Sequence, residues 1–365
     1  MGCSQSAALA DTQQLQVSKK IDDELKAAKR EAAIETRALL LGPGESGKST
    51  VCKQMRLCYA QPYSHEERLS YREIVFANTV QSAQAVLTSG FPSHRLSIPL
   101  FLRSTAEFLL SLEADAASAQ QLSGAMRPDV AEALELFWAA EETRKVVRGS
   151  GRFQLNDSAA YFFDALPRLS SPSYVPTTDD VLRTRVRSTG VKEEVFDIKQ
   201  LGRKILVVDV GGQRSERKKW IHCFENVNIL LFVIAISEYP QMLYEDETIN
   251  RLDESAQLWE SIAASRWFAK SSFVLFLNKL DLFTEKMTSD DYPLSKYMSD
   301  FSGEDGNVAH GKGFMKAKFT ALKRDQGRAL YCTFTCATDT EATKIVLASV
   351  MNSVLTSRLE EVGLM

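Results

Sequence analysis

The chain has no CxxC pair among its six cysteines, Cys3, Cys52, Cys58, Cys223, Cys332 and Cys336. Without paired spacing, and with no secretory signal ahead of them, a disulfide or zinc framework is not expected and the setting reads as reducing. No apolar run reaches the ~18 to 20 residues that a membrane-spanning helix needs. The longest, Ile229 to Ile236, reads as a buried strand. There is no excess of positive charge either: the net charge is −3, which speaks against a DNA- or RNA-binding footprint. No internal repeat is evident. What the chain does have is length, 365 residues, beyond the usual domain of roughly 100 to 200, so two domains are expected.

From about Leu9 to Arg37 the sequence is charged and alanine-rich, and Ile21, Leu25, Ala28 and Ala32 fall on one helical stripe. Ala38 to Leu41 then reads as a strand, and Ser49 to Cys58 as a helix, with a glycine-rich loop between them. Residues from about Ser64 to Ser171 read as all-helical, with helices at Arg72 to Thr88, Leu100 to Leu112 and Val130 to Val147. Ser170 to Asp180, polar and proline-bearing, reads as a linker. Strands are expected again at Val195 to Ile198, Lys204 to Val208, Ile229 to Ile236, Ser272 to Leu277 and Leu330 to Phe334. Helices are expected at about Ile249 to Ala264 and Thr340 to Leu359, and Ser302 to Gly313 reads as a mobile surface loop. This alternation of strand and helix predicts a parallel α/β sheet.

Three short motifs carry the chemistry. Gly42-Pro43-Gly44-Glu45-Ser46-Gly47-Lys48-Ser49 fits G-x-x-x-x-G-K-[ST] between a strand and a helix. Its glycines let successive N–H groups face phosphate oxygens, Lys48 neutralises the β and γ phosphates, and Ser49 offers a hydroxyl to Mg²⁺. This loop alone does not separate ATP from GTP. Asp209-Val210-Gly211-Gly212-Gln213 ends the strand Lys204 to Val208, where ligands bind to parallel sheets. There the acid can hold a magnesium shell, and Gln213 can orient a water. Asn278-Lys279-Leu280-Asp281 follows a third strand. By itself it is also an ordinary turn, but in this order its carboxylate can accept the N1–H and 2-amino donors of guanine, which adenine lacks. Thr335 to Thr338 would complete the base pocket through the Ala337 N–H.

With these residues in hand, the chain resembles the α subunits of heterotrimeric G proteins over essentially its whole length. Unlike the small GTPases, it separates Gly42 from Asp209 by a large helical block, as that family does. The resemblance implies an α/β fold: a P-loop Ras-like GTPase domain (37–65 and 182–365), an inserted all-α helical domain (66–181) and a lipidated N-terminal amphipathic helix (1–36). It makes Asp180 to Gly190 the first switch, with Arg185 as the catalytic arginine supplied in cis and Ser188 joining Ser49 on Mg²⁺. Read without it, Arg185 is one basic residue in the run Arg183, Arg185, Arg187. Arg214 to Trp220 becomes the second switch, ordered by the γ-phosphate. Asp157 and Ser158 become contacts from the helical domain, although either also suits a helix N-cap. The implied contacts for GTP or GDP are then Glu45, Ser46, Gly47, Lys48, Ser49, Thr50, Asp157, Ser158, Leu182, Arg183, Arg185, Asp209, Gly212, Gln213, Asn278, Lys279, Asp281 and Ala337. Implied partners are a βγ dimer, a G protein-coupled receptor, an effector and regulators of GTP hydrolysis.

Met1-Gly2-Cys3-Ser4-Gln5-Ser6 fits myristoylation at Gly2 with palmitoylation at Cys3. Two acyl chains give stable anchoring where one does not, so the cytoplasmic face of the plasma membrane is the expected location. The chain departs from the family at Pro43, where alanine is usual, and at Ser188, where threonine is usual. Pro43 precedes the amides that face phosphate, so its missing N–H removes no contact. Ser188 keeps the oxygen but loses the β-branch that stiffens χ1. Val362 stands where many inhibitory-class members carry the cysteine that toxins ADP-ribosylate. Two other readings stay open at this point: a nucleotide-dependent binding module with little hydrolysis, and an ATP-using P-loop enzyme, which Asp281 disfavours.

Overall fold

A computed structural model of the protein describes residues 36–91, 98–113, 119–120, 124–149, 153–186, 188–198, 203–243, 246, 248–323 and 329–361. Strands β1 (Thr36–Leu41), β2 (Val191–Ile198), β3 (Arg203–Val210), β4 (Ile229–Ala235), β5 (Ser272–Asn278) and β6 (Leu330–Phe334) form one sheet in the order β2-β3-β1-β4-β5-β6. All pairs are parallel except β2 with β3, where Val191 lies opposite Val210. β4 and β5 are buried along their whole length, which is why they read as unbroken apolar runs: helices cover both faces of a parallel sheet. β2 is the edge strand and carries Lys192, Glu193 and Glu194, charges that discourage further pairing.

Alternate residues along each strand serve opposite faces. Leu39, Leu230, Phe232, Phe273 and Leu275 pack with Leu252 and Trp259 of the helix Arg251–Ala263, and with Phe283, Met315 and Phe319. Leu40, Leu231, Val274 and Phe276 pack with Val51 and Met55 of the helix Lys48–Tyr59, and with Leu347 and Met351 of the helix Thr340–Glu361. A separate core joins the helices Arg72–Ala85, Arg103–Ser111, Pro128–Ala139 and Ala159–Asp164 through Phe76, Leu109, Leu134, Phe137 and Phe162, with no strand residue among its described members. Each such fully buried side chain contributes about 1.5–3 kcal/mol.

The structure departs from the sequence reading in five places. Ser302 to Gly313 is not wholly a loop: the helix Val308–Ala321 starts within it, capped by the Asn307 carboxamide accepting from the Ala309 and His310 N–H groups. The glycine content of the stretch suggested a loop, but Gly311 is a packing glycine, since a Cβ there would sit 2.9 Å from Met287 Cε and 3.1 Å from Phe283 Cζ. The stretch Val130 to Val147 is two helices, because Ala140 is extended between Pro128–Ala139 and Glu141–Arg148. The expected linker Ser170 to Asp180 ends inside a helix, Thr178–Arg183, closed by a reciprocal capping box between Thr177 and Asp180. β2 is antiparallel, and β1 has begun by Thr36, where an N-terminal helix was expected to continue to Arg37. That helix, Gly2, Cys3, Arg187 and Val362 lie outside the described residues. Among the described residues no helix is long and apolar enough to cross a membrane, and the five cysteines are free.

Candidate nucleotide-binding site

The loop after β1 can turn only because of its glycines. Gly42 has φ +146° and Gly47 φ +100°, and a Cβ on either would lie 2.3 Å from the Val233 carbonyl oxygen or 2.2 Å from Asn278 Nδ2. The turn delivers Lys48 to the first residue of the helix Lys48–Tyr59. Its ammonium donates back to the carbonyls of Gly42 (3.0 Å) and Pro43 (2.7 Å). Burial pulls the Lys48 pKa down to about 8, with Asp209 opposing the fall. Gly212 approaches so closely that a Cβ would sit 2.2 Å from Lys48 Nζ.

Three oxygens from distant parts of the chain converge beside this lysine. Ser49 Oγ lies 2.7 Å from Ser188 Oγ and donates to Asp209 Oδ2 at 3.3 Å. Burial pushes the Asp209 carboxyl above the usual carboxylate range, against the pull of Lys48. Its other oxygen, Oδ1, is buried with no protein partner. Two hydroxyls and a carboxylate are hard oxygen donors, and a set with few protein ligands suits Mg²⁺, which keeps waters and phosphate oxygens for its remaining positions. The described residues contain no cluster of three or more His, Cys, Asp or Glu side chains that would suggest a transition metal instead.

On the far side, Asn278 at the end of β5 ties three loops together. Its Nδ2 donates to the Ser46 carbonyl at 2.9 Å, and its Oδ1 accepts from Thr335 Oγ1 at 3.0 Å and the Ala337 N–H at 3.1 Å. The Ala337 N–H, expected to face the base, therefore has an internal partner. Lys279 takes left-handed backbone (φ 61°) and pairs with Asp157 at 2.6 Å and Glu238 at 2.9 Å. Burial opposes its charge, but Asp157 and Glu238 outweigh it and hold the ammonium pKa above its ordinary value. Arg251 joins the same network through Glu238 and Glu45, and Arg185 pairs with Glu45 from the other direction. Burial works against ionisation of Glu45, yet Arg251 and Arg185 keep its pKa below the ordinary value.

Of the residues expected at the site, Glu45, Gly47, Lys48, Ser49, Thr50, Asp157, Ser158, Leu182, Arg183, Arg185, Ser188, Gly212, Gln213, Asn278, Lys279, Asp281 and Ala337 line one cavity of about 680 Å³. Ser46 and Asp209 are buried and do not line it. A cavity of this size and mixed polarity, at the carboxyl ends of parallel strands, is where such a fold binds a small ligand. The profile of the G-protein alpha subunit family matches residues 15–354, spanning both the sheet and the helical block.

The chain belongs to the G-protein alpha subunit family. It is 43% identical to a guanine nucleotide-binding protein subunit alpha of Coprinellus congregatus over the whole of both chains. It is 44% identical to the guanine nucleotide-binding protein alpha-1 subunit of Mycosarcoma maydis, again over the whole of both. A third relative, the alpha-1 subunit of Neurospora crassa, is 42% identical over 95% of this chain and 96% of its own. This alpha subunit therefore combines a mostly parallel sheet covered by helices with a separate helical core.

Several residues that shape the alpha subunit's cavity carry no motif. Glu238 and Arg251 are both nearly inaccessible yet charged, and they hold the Lys279 and Glu45 ends of the cavity. Glu238 sits just beyond β4, and nothing in the sequence marks it as buried. Glu254 receives Arg214 at 2.6 Å and Arg217 at 3.0 Å, fastening the segment after Gln213 to the helix Arg251–Ala263. Nothing local in the sequence announces that pairing across 40 residues.

The lowered Lys48 pKa makes a testable claim about binding. Nucleotide phosphates stabilise the ammonium form and raise its pKa again, so binding at pH 8.5, where the terminal phosphate is already ionised, is expected to take up roughly three quarters of a proton at Lys48. Calorimetry in buffers of different ionisation enthalpy measures this uptake; heats independent of buffer at pH 8.5 would contradict it. For the nucleotide-free protein the sign is the reverse of a salt-bridged lysine. Between about 8 and the ordinary 10.5 the folded state sheds this proton before the unfolded state does, so stability from this group rises with pH.

Proposed function

We propose that this alpha subunit is a switch that binds GTP, hydrolyses it to GDP and phosphate, and signals by the difference. The observation that carries the reading is convergence: Lys48, the Ser49 and Ser188 hydroxyls, Arg185 and Gln213 all face the cavity that Asp281 also lines. Lys48 and the N-terminus of its helix hold the β and γ phosphates. Ser49, Ser188 and the Asp209 carboxylate beside them are the residues that would hold Mg²⁺, and the ion would supply neutralisation of phosphate charge. Gln213 orients the attacking water, and the Arg185 guanidinium stabilises charge that grows on the transferring phosphoryl group. Asp281 accepts from the N1–H and 2-amino groups of guanine. Excess GTP is expected to displace bound GDP from the purified protein while equal ATP does not; displacement by ATP would sink the assignment of Asp281.

In this reading 37–65 and 182–365 form the GTPase domain, and 66–181 closes over the nucleotide through Asp157 and Ser158. Arg214 to Trp220 changes order with the γ-phosphate and presents different surfaces to a βγ dimer, an effector and regulators of hydrolysis, while a membrane receptor drives exchange. Gly2 and Cys3 carry the acyl chains that hold the protein at the cytoplasmic face of the plasma membrane. Gly2→Ala is expected to move the protein from the membrane to the soluble fraction on cell fractionation. An unchanged distribution would defeat the lipid anchor.

A further inference from the structure

The peptide segment that carries Arg185 is not part of a strand. It runs from the helix Thr178–Arg183 toward β2, and its backbone groups are satisfied by side chains from two different directions. Lys53, on the phosphate-loop helix, donates to the carbonyls of Val181 (2.7 Å) and Thr184 (3.2 Å) and to Thr184 Oγ1 (2.9 Å). Asn78, on the helix Arg72–Ala85 of the helical core, takes both backbone groups of Arg185 itself. Its Oδ1 accepts the Arg185 N–H at 2.7 Å, and its Nδ2 donates to the Arg185 carbonyl at 3.1 Å. The Asn78 side chain is only about 5% exposed, so neither bond is easily exchanged for water.

We propose that Asn78 is a positioning residue for GTP hydrolysis: a carboxamide clamp by which the helical part fixes the Arg185 peptide, and through it the guanidinium, at the phosphate cavity. The inference rests on the hydrolytic role proposed above for Arg185. Of the short side chains, only a carboxamide offers one acceptor and one donor side by side, which is what a single residue's N–H and C=O require. The Arg185 side chain is half exposed and, among the described residues, its guanidinium pairs with Glu45, so its direction depends on how its own peptide is held. Loss of the clamp leaves Lys48 and the base side in place, and Glu45 of the phosphate loop keeps its pairing with Arg251. It therefore separates the rate of hydrolysis from the affinity for nucleotide.

Asn78→Asp keeps the acceptor for the Arg185 N–H but replaces the donor with an oxygen that repels the Arg185 carbonyl. Asn78→Ala removes both and admits water, and serves if the aspartate variant does not fold. Single-turnover hydrolysis of preloaded GTP is expected to fall roughly tenfold or more in these variants, the scale on which misplacing a catalytic group acts. Affinity for a non-hydrolysable GTP analogue should stay within about twofold of the parent. The decisive arm is the Arg185→Ala background, where adding the Asn78 substitution should change the rate by less than about twofold. An equal loss in both backgrounds, or a loss of affinity that matches the loss of rate, would overturn the clamp. If Arg185→Ala leaves the parent rate unchanged, the proposed role of Arg185 fails. If Arg185→Ala slows hydrolysis and neither Asn78 variant does, the inference about Asn78 alone fails.

Discussion

Gln213→Leu is expected to bind GTP with nearly the parent affinity and to hydrolyse it on the order of a hundredfold more slowly, the usual cost of removing one group aimed at the transition state. Gln213 stands at the end of the Gly211-Gly212 turn and opens the 3₁₀ segment Arg214–Cys223 with extended backbone. Its side chain crosses the phosphate loop: a Cβ on Gly44 would lie 3.3 Å from Gln213 Cγ. Leucine matches this side chain in bulk but has neither donor nor acceptor, so the loop keeps its packing and loses only the polar end. The switch segment also stays fastened, because Arg214 and Arg217 are held by Glu254 and the Trp220 indole N–H donates to the Gly211 carbonyl at 2.8 Å. Rapid-quench hydrolysis of preloaded GTP measures the effect. Equal single-turnover rates for variant and parent would remove Gln213 from the mechanism.

The second large effect belongs to Asn278, and it is an effect on holding nucleotide. Asn278→Ala strips the partners from the Ser46 carbonyl, the Thr335 hydroxyl and the Ala337 N–H in one step, at a site that is 2% exposed. At ~1 kcal/mol for each buried group left unpaired, the low end of the range, the loss is about 3 kcal/mol. Tenfold corresponds to about 1.4 kcal/mol, and the part of that loss borne by the nucleotide-bound state speeds release, so GDP release is expected to quicken by roughly tenfold and by no more than about a hundredfold. The reason is geometric: the phosphate loop, the base motif and the loop after β6 lose a side chain that bonds to all three. Asn278→Asp keeps both acceptor contacts and loses only the donor to Ser46, so its release rate should fall between those of Asn278→Ala and the parent. Release of a fluorescent GDP analogue under excess GTP gives all three rates, and an alanine variant that releases at the parent rate would contradict the tie.

The parts of the site that could be read from sequence are the parts built from neighbours in the chain. Gly42 to Ser49 is legible because one turn must satisfy φ, close approach and phosphate contact within eight residues. β4 and β5 are legible because burial on both faces leaves no polar residue to interrupt them. The Asn278 motif was found, but its first residue turns inward to brace three loops while Asp281 faces the cavity. Gly311 misled because glycine marks both loops and close helix packing, and only the neighbouring Met287 and Phe283 decide which. Asn78 with Arg185, and Glu238 with Arg251, were out of reach. Each is an ordinary polar residue on its own helix or loop, and its role exists only once the fold brings its partner within 3 Å.

Hydrolysis itself is the central claim, and single-turnover release of phosphate tests it most directly. The purified protein is loaded with γ-labelled GTP in the absence of free Mg²⁺, unbound nucleotide is removed, and Mg²⁺ is added. The expected result is release of one phosphate for each bound GTP, leaving GDP on the protein, with Arg185→Ala slower by roughly a hundredfold. Bound GTP that stays intact after Mg²⁺ is added, in a protein that still exchanges it for GDP, would contradict the account.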